Sequence, residues 1–204
     1  MSSKTTFFQK DQSYKTLHKI LSDRYGAETT TAIFTFAASE LTKLLSEYPD
    51  IPKGEQKHTH PYIFPRVAMF RAMKRELGDA AIPVMDELIL MEGTKVGNLM
   101  KRITALPLME KVFLKAFSVV AKKQFGEKNG FQQSFYPSSK GTVKFDITQC
   151  PYCKYCTLCE CPELIHTFCD SDAYCFGNLS KITFTREQTL EKYDKCNFTL
   201  TIDK

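Results

Sequence analysis

A chain of 204 residues, 43% hydrophobic and 25% charged, has the make-up of a globular protein and can bury a core without needing disulfides. Its net charge of +5 is uneven: residues 150–204 carry six Lys/Arg and eight Asp/Glu (−2), and the first 149 carry 22 and 15 (+7), with cations scattered along amphipathic segments in no arginine-rich run, which argues against nucleic-acid binding. The N-terminal MSSKTTFFQK lacks the apolar run of a secretory signal, and no stretch approaches the roughly 20 apolar residues of a membrane span, so the expectation is a soluble, cytoplasmic protein with no membrane partner.

Residues 1–128 are predicted to be mainly helical. Tyr14, Leu17, Ile20 and Leu21 recur at helical spacing. So do Ile33, Phe34, Ala37, Leu41, Leu44 and Leu45, in a segment closed by Tyr48-Pro49 and Ile51-Pro52. Pro52–Pro61 reads as a polar loop. It holds His58 and His60, a weak metal-binding pair with no third ligand nearby in sequence. A helix follows from Pro65, since proline suits a first turn, through Val67, Phe70, Met73 and Leu77 to a stop at Gly78. Pro83–Ile103 and Leu106–Phe125 supply two more. The pattern then changes. Gly130–Tyr136 reads as an edge strand and Pro137–Gly141 as a turn. Thr142–Thr148 alternates at period two, with Val143, Phe145 and Ile147 on one face. A cysteine-rich helical stretch runs to Phe176, and strands are predicted at Lys181–Arg186 and Cys196–Ile202. The fold class is α+β in a single domain over 1–204. An N-terminal helical layer (1–128) precedes a small antiparallel sheet with cysteine-rich helices packed on it (129–204).

All eight cysteines lie between Cys150 and Cys196. In a chain read as cytoplasmic, that density favours metal or thiol chemistry over a disulfide framework. Cys150, Cys153, Cys156 and Cys159 stand at Cys-x-x-Cys spacing, followed by Cys161. Soft thiolates so spaced can converge on zinc or an iron–sulfur cluster. On a helix they would instead form a slowly rotating stripe, too linear to enclose one tetrahedral ion. Buried free thiols and redox or catalytic use remain the other two readings. Further on, His166 lies one helical turn before Cys169 and Asp172 one turn after. A thiol flanked by imidazole and carboxylate has the ingredients of an activated nucleophile. Arg186 either binds a substrate carboxylate bidentately or makes a surface ion pair with Glu187 or Glu191.

The order of several pieces is recognisable. Phe145-Asp146-Ile147-Thr148-Gln149-Cys150-Pro151-Tyr152, then Pro162-Glu163-Leu164, Cys169-x-x-Asp172, Phe184-Thr185-Arg186-Glu187-Gln188-Thr189-Leu190 and Cys196-Asn197-Phe198 resemble the signature of the L-2-amino-thiazoline-4-carboxylic acid hydrolase family. The resemblance spans roughly residues 128–200. It implies a hydrolase with a small-molecule substrate and no required cofactor. Water would open a cyclic amidine by carbon–nitrogen bond hydrolysis, giving N-carbamoyl-cysteine in cysteine-related metabolism. The matching polar positions are Cys150, Glu163, Cys169, Asp172, Arg186, Thr189 and Cys196. The resemblance suggests Cys169 or Cys150 as nucleophile, and Glu163 or Asp172 as acid or base. Arg186, with Thr189 and His166, would bind substrate. Two features depart from the family pattern. Asn197 stands where the family has aspartate, and Cys153, Cys156, Cys159 and Cys161 are additional thiols. They keep open an alternative, a protein that binds or senses a small ligand or a metal (zinc or an iron–sulfur cluster) through cysteines. A fainter similarity to four-vinyl reductase domains, whose last strand is also Cys-x-Phe, points the same way.

Overall fold

The computed structural model describes residues 5–137 and 141–203. Of the predicted turn, residues 138–140 lie outside that range. A short helix α1 (Thr5–Lys10) leads into α2 (Gln12–Glu47), whose N-cap Asp11 accepts the Ser13 amide at 2.8 Å. The two helical patterns predicted in this region are the two arms of α2. They meet at a kink where Gly26 (φ 82°, ψ 165°) leaves helical geometry. The apolar stripe of both arms is buried, chiefly against α4 (Phe64–Leu77).

Pro52–Pro61 is not a loop. It forms helix α3 (Lys53–His58) and a π-helical run (Thr59–Ile63) that continues into α4. The segment is polar in sequence yet inward-facing, because its polar groups have distant partners. Glu55 accepts the Lys154 ammonium at 2.9 Å and the Tyr155 hydroxyl at 2.7 Å. His58 shares a hydrogen bond with the Tyr152 hydroxyl at 3.1 Å. Burial raises the Glu55 pKa, and these two donors outweigh it, holding the carboxyl below its ordinary value.

Helices α5 (Ala81–Ala105) and α6 (Met109–Gln124) are joined through Leu106–Leu108, with Leu108 in the left-handed region at φ 64°. The cysteine-rich stretch forms two helices, α7 (Pro151–Leu158) and α8 (Ile165–Phe176). Between them, Glu160 (φ 52°) and Pro162 break the run. Helix α8 lies very close to α5. A Cβ on Gly93 would fall 2.5 Å from the Tyr174 Cβ, and one on Gly97 2.4 Å from the Tyr174 carbonyl oxygen.

The four strands β1 (Gln132–Phe135), β2 (Thr142–Gln149), β3 (Ile182–Thr185) and β4 (Cys196–Ile202) form one antiparallel sheet in the order β1-β2-β4-β3. Val143, Phe145 and Ile147 are buried on one face, as the alternation predicts. Phe135, Phe145 and Phe198 pair in register and stack across the sheet, with centroids 4.6 and 4.8 Å apart. Two cores result. One joins α2, α4, α5, α7 and α8, and the other lies between the sheet and α6. Tyr152, at the start of α7, packs against both.

Asp146 is the buried anion of the sheet. Its Oδ2 accepts the Tyr136 hydroxyl and the Lys195 ammonium, both at 2.8 Å, while Oδ1 has no partner. Burial raises its pKa, but the two donors prevail and leave it below the ordinary carboxylate value. Its stabilisation is therefore present above the unfolded pKa and lost as pH falls through the lower folded one. Asp146→Ala should lose about 1 kcal/mol at pH 7, the net worth of the carboxylate's own hydrogen bonds, since Lys195 and Tyr136 can turn to solvent. Urea unfolding should show the deficit shrinking as the wild type is acidified. A deficit that is the same at pH 3 and pH 7 would contradict the assignment.

Candidate active site

A cavity of about 350 Å³ opens at the seam between the two cores. The helical side contributes Tyr62, Arg66, Phe168, Cys169, Ser171 and Asp172. The sheet side contributes Phe125, Phe131, Ile147, Cys196 and Phe198. Cys150, Tyr152, Cys153 and Arg186 complete the wall. Its shape follows from local rules. Strand β2 ends at Gln149, Cys150 stays extended (φ −137°, ψ 126°), and Pro151 takes the first turn of α7. That turn brings Cys150 and Cys153 to the same side. On α8, Phe168, Cys169 and Asp172 share a face by their spacing.

Arg186 is the buried cation of the site, 6% exposed in its side chain. Its Nη1 donates to Asp172 Oδ2 at 2.9 Å and its Nη2 to the Cys169 carbonyl at 2.6 Å, and the guanidinium lies over the Phe198 ring. Asp172 is nonetheless pushed up to about 6, because burial penalises its charge more than Arg186 restores it. Arg66 also faces the cavity. It pairs with Glu92 at 2.8 Å and stacks on Phe168.

Four thiols line the cavity, and their acidities are linked two by two. The neighbouring Cys196 sulfur, together with burial, pushes the Cys169 thiol up. Cys169 in turn pulls Cys196 below its ordinary value against the effect of burial. The Leu190 amide, which donates to its sulfur at 3.1 Å, and the Arg186 charge pull the same way. Cys196 is thus the sulfur of this pair better suited to carry negative charge. Cys150 and Cys153 form the second pair. The neighbouring Cys153 sulfur, together with burial, raises Cys150, and Cys150 in turn lowers Cys153.

Of the residues singled out in the sequence, Cys150, Cys169, Asp172 and Arg186 meet in this cavity. Glu163, His166 and Thr189 do not line it. Glu163 pairs with Lys74. His166 Nε2 lies 2.7 Å from Asp86 on α5. Thr189 sits in a turn, where its carbonyl accepts the Lys192 and Tyr193 amides. Arg186 makes no surface pair with Glu187 or Glu191, and its fork is largely occupied by Asp172 and Cys169.

The five cysteines proposed as one metal site are divided. Cys150 and Cys153 face the cavity, whereas Cys156, Cys159 and Cys161 are buried in the helical core. The helix turns the stripe away from a common centre, and the break at Glu160 carries Cys161 with the core. Among the described residues, no group of three or more His, Cys, Asp or Glu side chains is arranged to hold a metal ion. His58 and His60 also part. His58 is buried beside Tyr152 and Phe131, and His60 stacks on Phe64. Asn197 has a structural part, accepting the Glu187 and Gln188 amides at 2.9 and 2.8 Å and so fixing the chain just after Arg186. Sequence reasoning gave no role to Arg66 or Ser171, and none to Cys196 beyond its matching position. Nothing local distinguishes Arg66 from the other helical cations. Cys196 opens a strand pattern whose inward face was readable.

No helix among the described residues is long and apolar enough to cross a membrane. No curated protein matches the chain. A solved structure, Fe(II) unliganded H-NOX protein from K. algicida, aligns over 98% of this chain and 97% of its own at 9% identity. Its TM-score of 0.35 supports no conclusion about fold or site. The family model of L-2-amino-thiazoline-4-carboxylic acid hydrolase matches residues 56–200, a span that contains every residue of the cavity wall. The chain therefore belongs to the L-2-amino-thiazoline-4-carboxylic acid hydrolase family.

Proposed function

We propose that the cavity hydrolyses a small cyclic amidine bearing a carboxylate, with 2-amino-thiazoline-4-carboxylate as the type substrate. The observation that carries this reading is the meeting of Cys196, Cys169, Asp172, Arg186 and Arg66 in the lining of one cavity, brought there by β4, α8, the chain just after β3, and α4. Atom balance refines the bond that breaks. In N-carbamoyl-cysteine the former ring nitrogen keeps its bond to the carbonyl carbon. The lost bond is therefore carbon–sulfur, after the amidine carbon has been attacked.

The Cys196 thiolate adds to the amidine carbon, and the ring sulfur leaves as a thiolate that takes a proton. A thiouronium-like adduct on Cys196 results. Asp172, ionised, draws a proton from water as it attacks that carbon. The carbonyl forms and Cys196 leaves. Cys169, beside the Cys196 sulfur, steadies its charge. Arg186 is a positioning residue, holding Asp172 through Oδ2. Arg66 replaces Arg186 as the carboxylate binder, since one edge of its fork remains beyond the Glu92 pair.

The test is ring opening of 2-amino-thiazoline-4-carboxylate by purified protein, followed by thiol release. Cys196→Ala should abolish it. Arg66→Lys should raise KM by about 10-fold or more while changing kcat little, because a bidentate grip on a ground-state carboxylate is lost. No ring opening with this substrate or related cyclic amidines would overturn the proposal.

A further inference from the structure

The cavity wall holds more thiol than ring opening uses. All eight cysteines are free, and Cys150 and Cys153, three residues apart at the start of α7, both line the cavity beside Cys169 and Cys196. The construction of the first pair is also distinct. Strand β2 delivers Cys150 as the N-cap of the eight-residue α7, Pro151 sets the first turn, and Cys153 lies within that turn. Spacing of three residues brings both sulfurs to the amino end of the helix. There the unpaired amides and the helix dipole favour a sulfur anion. Both are half-buried and line the cavity, so a small molecule that enters it meets both. Arg66, held by Glu92 through Nη2, supplies positive charge in the same cavity.

We infer that Cys150 and Cys153 are a dithiol–disulfide couple that exchanges with small, carboxylate-bearing organic disulfides entering the cavity. This activity is separate from ring hydrolysis. In the first step the Cys153 thiolate attacks one sulfur of the disulfide. The sulfur–sulfur bond breaks, and one half leaves with the electron pair and takes up a proton. In the second, Cys150 gives up its proton and attacks the Cys153 sulfur. The second half leaves and is protonated. The protein dithiol is oxidised by two electrons and the ligand disulfide is reduced to two thiols. An excess of small thiol reverses both steps. Cys153 is the attacking sulfur because it lies within the first turn of α7, lines the cavity and is held below its ordinary value by its neighbour Cys150.

The full-length protein, equilibrated with cysteine and cystine in varying ratio, acid-quenched, alkylated and mapped by peptide mass spectrometry, tests this. A Cys150–Cys153 disulfide should form with the stoichiometry of one cystine reduced per disulfide. Cys150→Ser should stop at a mixed disulfide on Cys153, and Cys153→Ser should lose the reaction. Both serine variants are checked for native melting, and each reports independently. Two free thiols across the whole range, crosslinks to other cysteines in place of this one, or a mixed disulfide elsewhere in Cys150→Ser would overturn the inference. The readout is thiol state, so its failure is distinct from a failure of ring hydrolysis.

Discussion

Gly54→Ala lowers the melting temperature by about 6–12 °C, from an overpacking cost of about 3 kcal/mol at 2–4 °C per kcal/mol for a domain of this size. A Cβ at Gly54 would lie 1.5 Å from the Lys128 carbonyl oxygen and 2.6 Å from its carbon. Backbone, not a flexible side-chain tip, is in the way. The neighbouring chain has little freedom to retreat. Asn129 is tied by its side-chain amide to the Lys123 and Gln124 carbonyls at 3.0 Å, closing the end of α6. Phe131, two residues on, is buried in the cavity wall. The methyl would therefore part α3 from the turn before β1 or loosen α6. Gly26→Ala is the control. It has nothing within 4 Å of an added Cβ, but its φ of 82° and ψ of 165° lie in a region open essentially to glycine alone, so a backbone cost of about 1–3 kcal/mol applies with no close approach. An unchanged melting temperature in Gly54→Ala would refute the close-approach argument.

Asp172→Asn lowers ring-opening turnover by about 100-fold or more, the usual contribution of a positioned general base. The amide keeps an acceptor for Arg186 but cannot take a proton. In the wild type, kcat/KM should rise with pH through about 6, where Asp172 ionises. The rise should vanish in the variant. Stability carries the opposite sign. The folded pKa of about 6 stands above the carboxyl's ordinary value of 3.8, so the native state binds this proton more tightly than the unfolded chain. Asp172 therefore favours folding at low pH and loses that contribution as pH climbs from about 4 to 6. Relative to wild type, Asp172→Asn should gain stability across that window. A pH–rate profile without a limb near 6, or a stability difference that is flat between pH 4 and 6, would exclude the assigned role.

The parts of the fold that were legible in the sequence are those whose periodicity is set by one layer. Cys196–Ile202 reads as a strand because its β-branched and aromatic residues alternate against one core. The face of Val143, Phe145 and Ile147 is readable for the same reason. Pro52–Pro61 was not legible, since Glu55 and His58 are buried only by virtue of Lys154, Tyr155 and Tyr152, roughly 100 residues away. The same physics divides the candidate site. Cys169 and Asp172 share a helical face, so spacing identified them. Glu163 and His166 carry suitable groups at suitable spacing, but Lys74 and Asp86 claim them from other helices. No local pattern announces such a partner. The thiol run left a common metal site, buried free thiols and thiol chemistry all open, and helical rotation distributes the sulfurs between a cavity and a core.

The glycine seam between α5 and α8 has a consequence for substrate range. No residue of α5 lines the cavity, yet Gly93 and Gly97 let α8 settle against it, and α8 carries Phe168, Cys169, Ser171 and Asp172. The size of molecule the cavity admits is thus set partly by two missing side chains on a helix the ligand never touches. One methyl group at either position would act as a shim behind the wall.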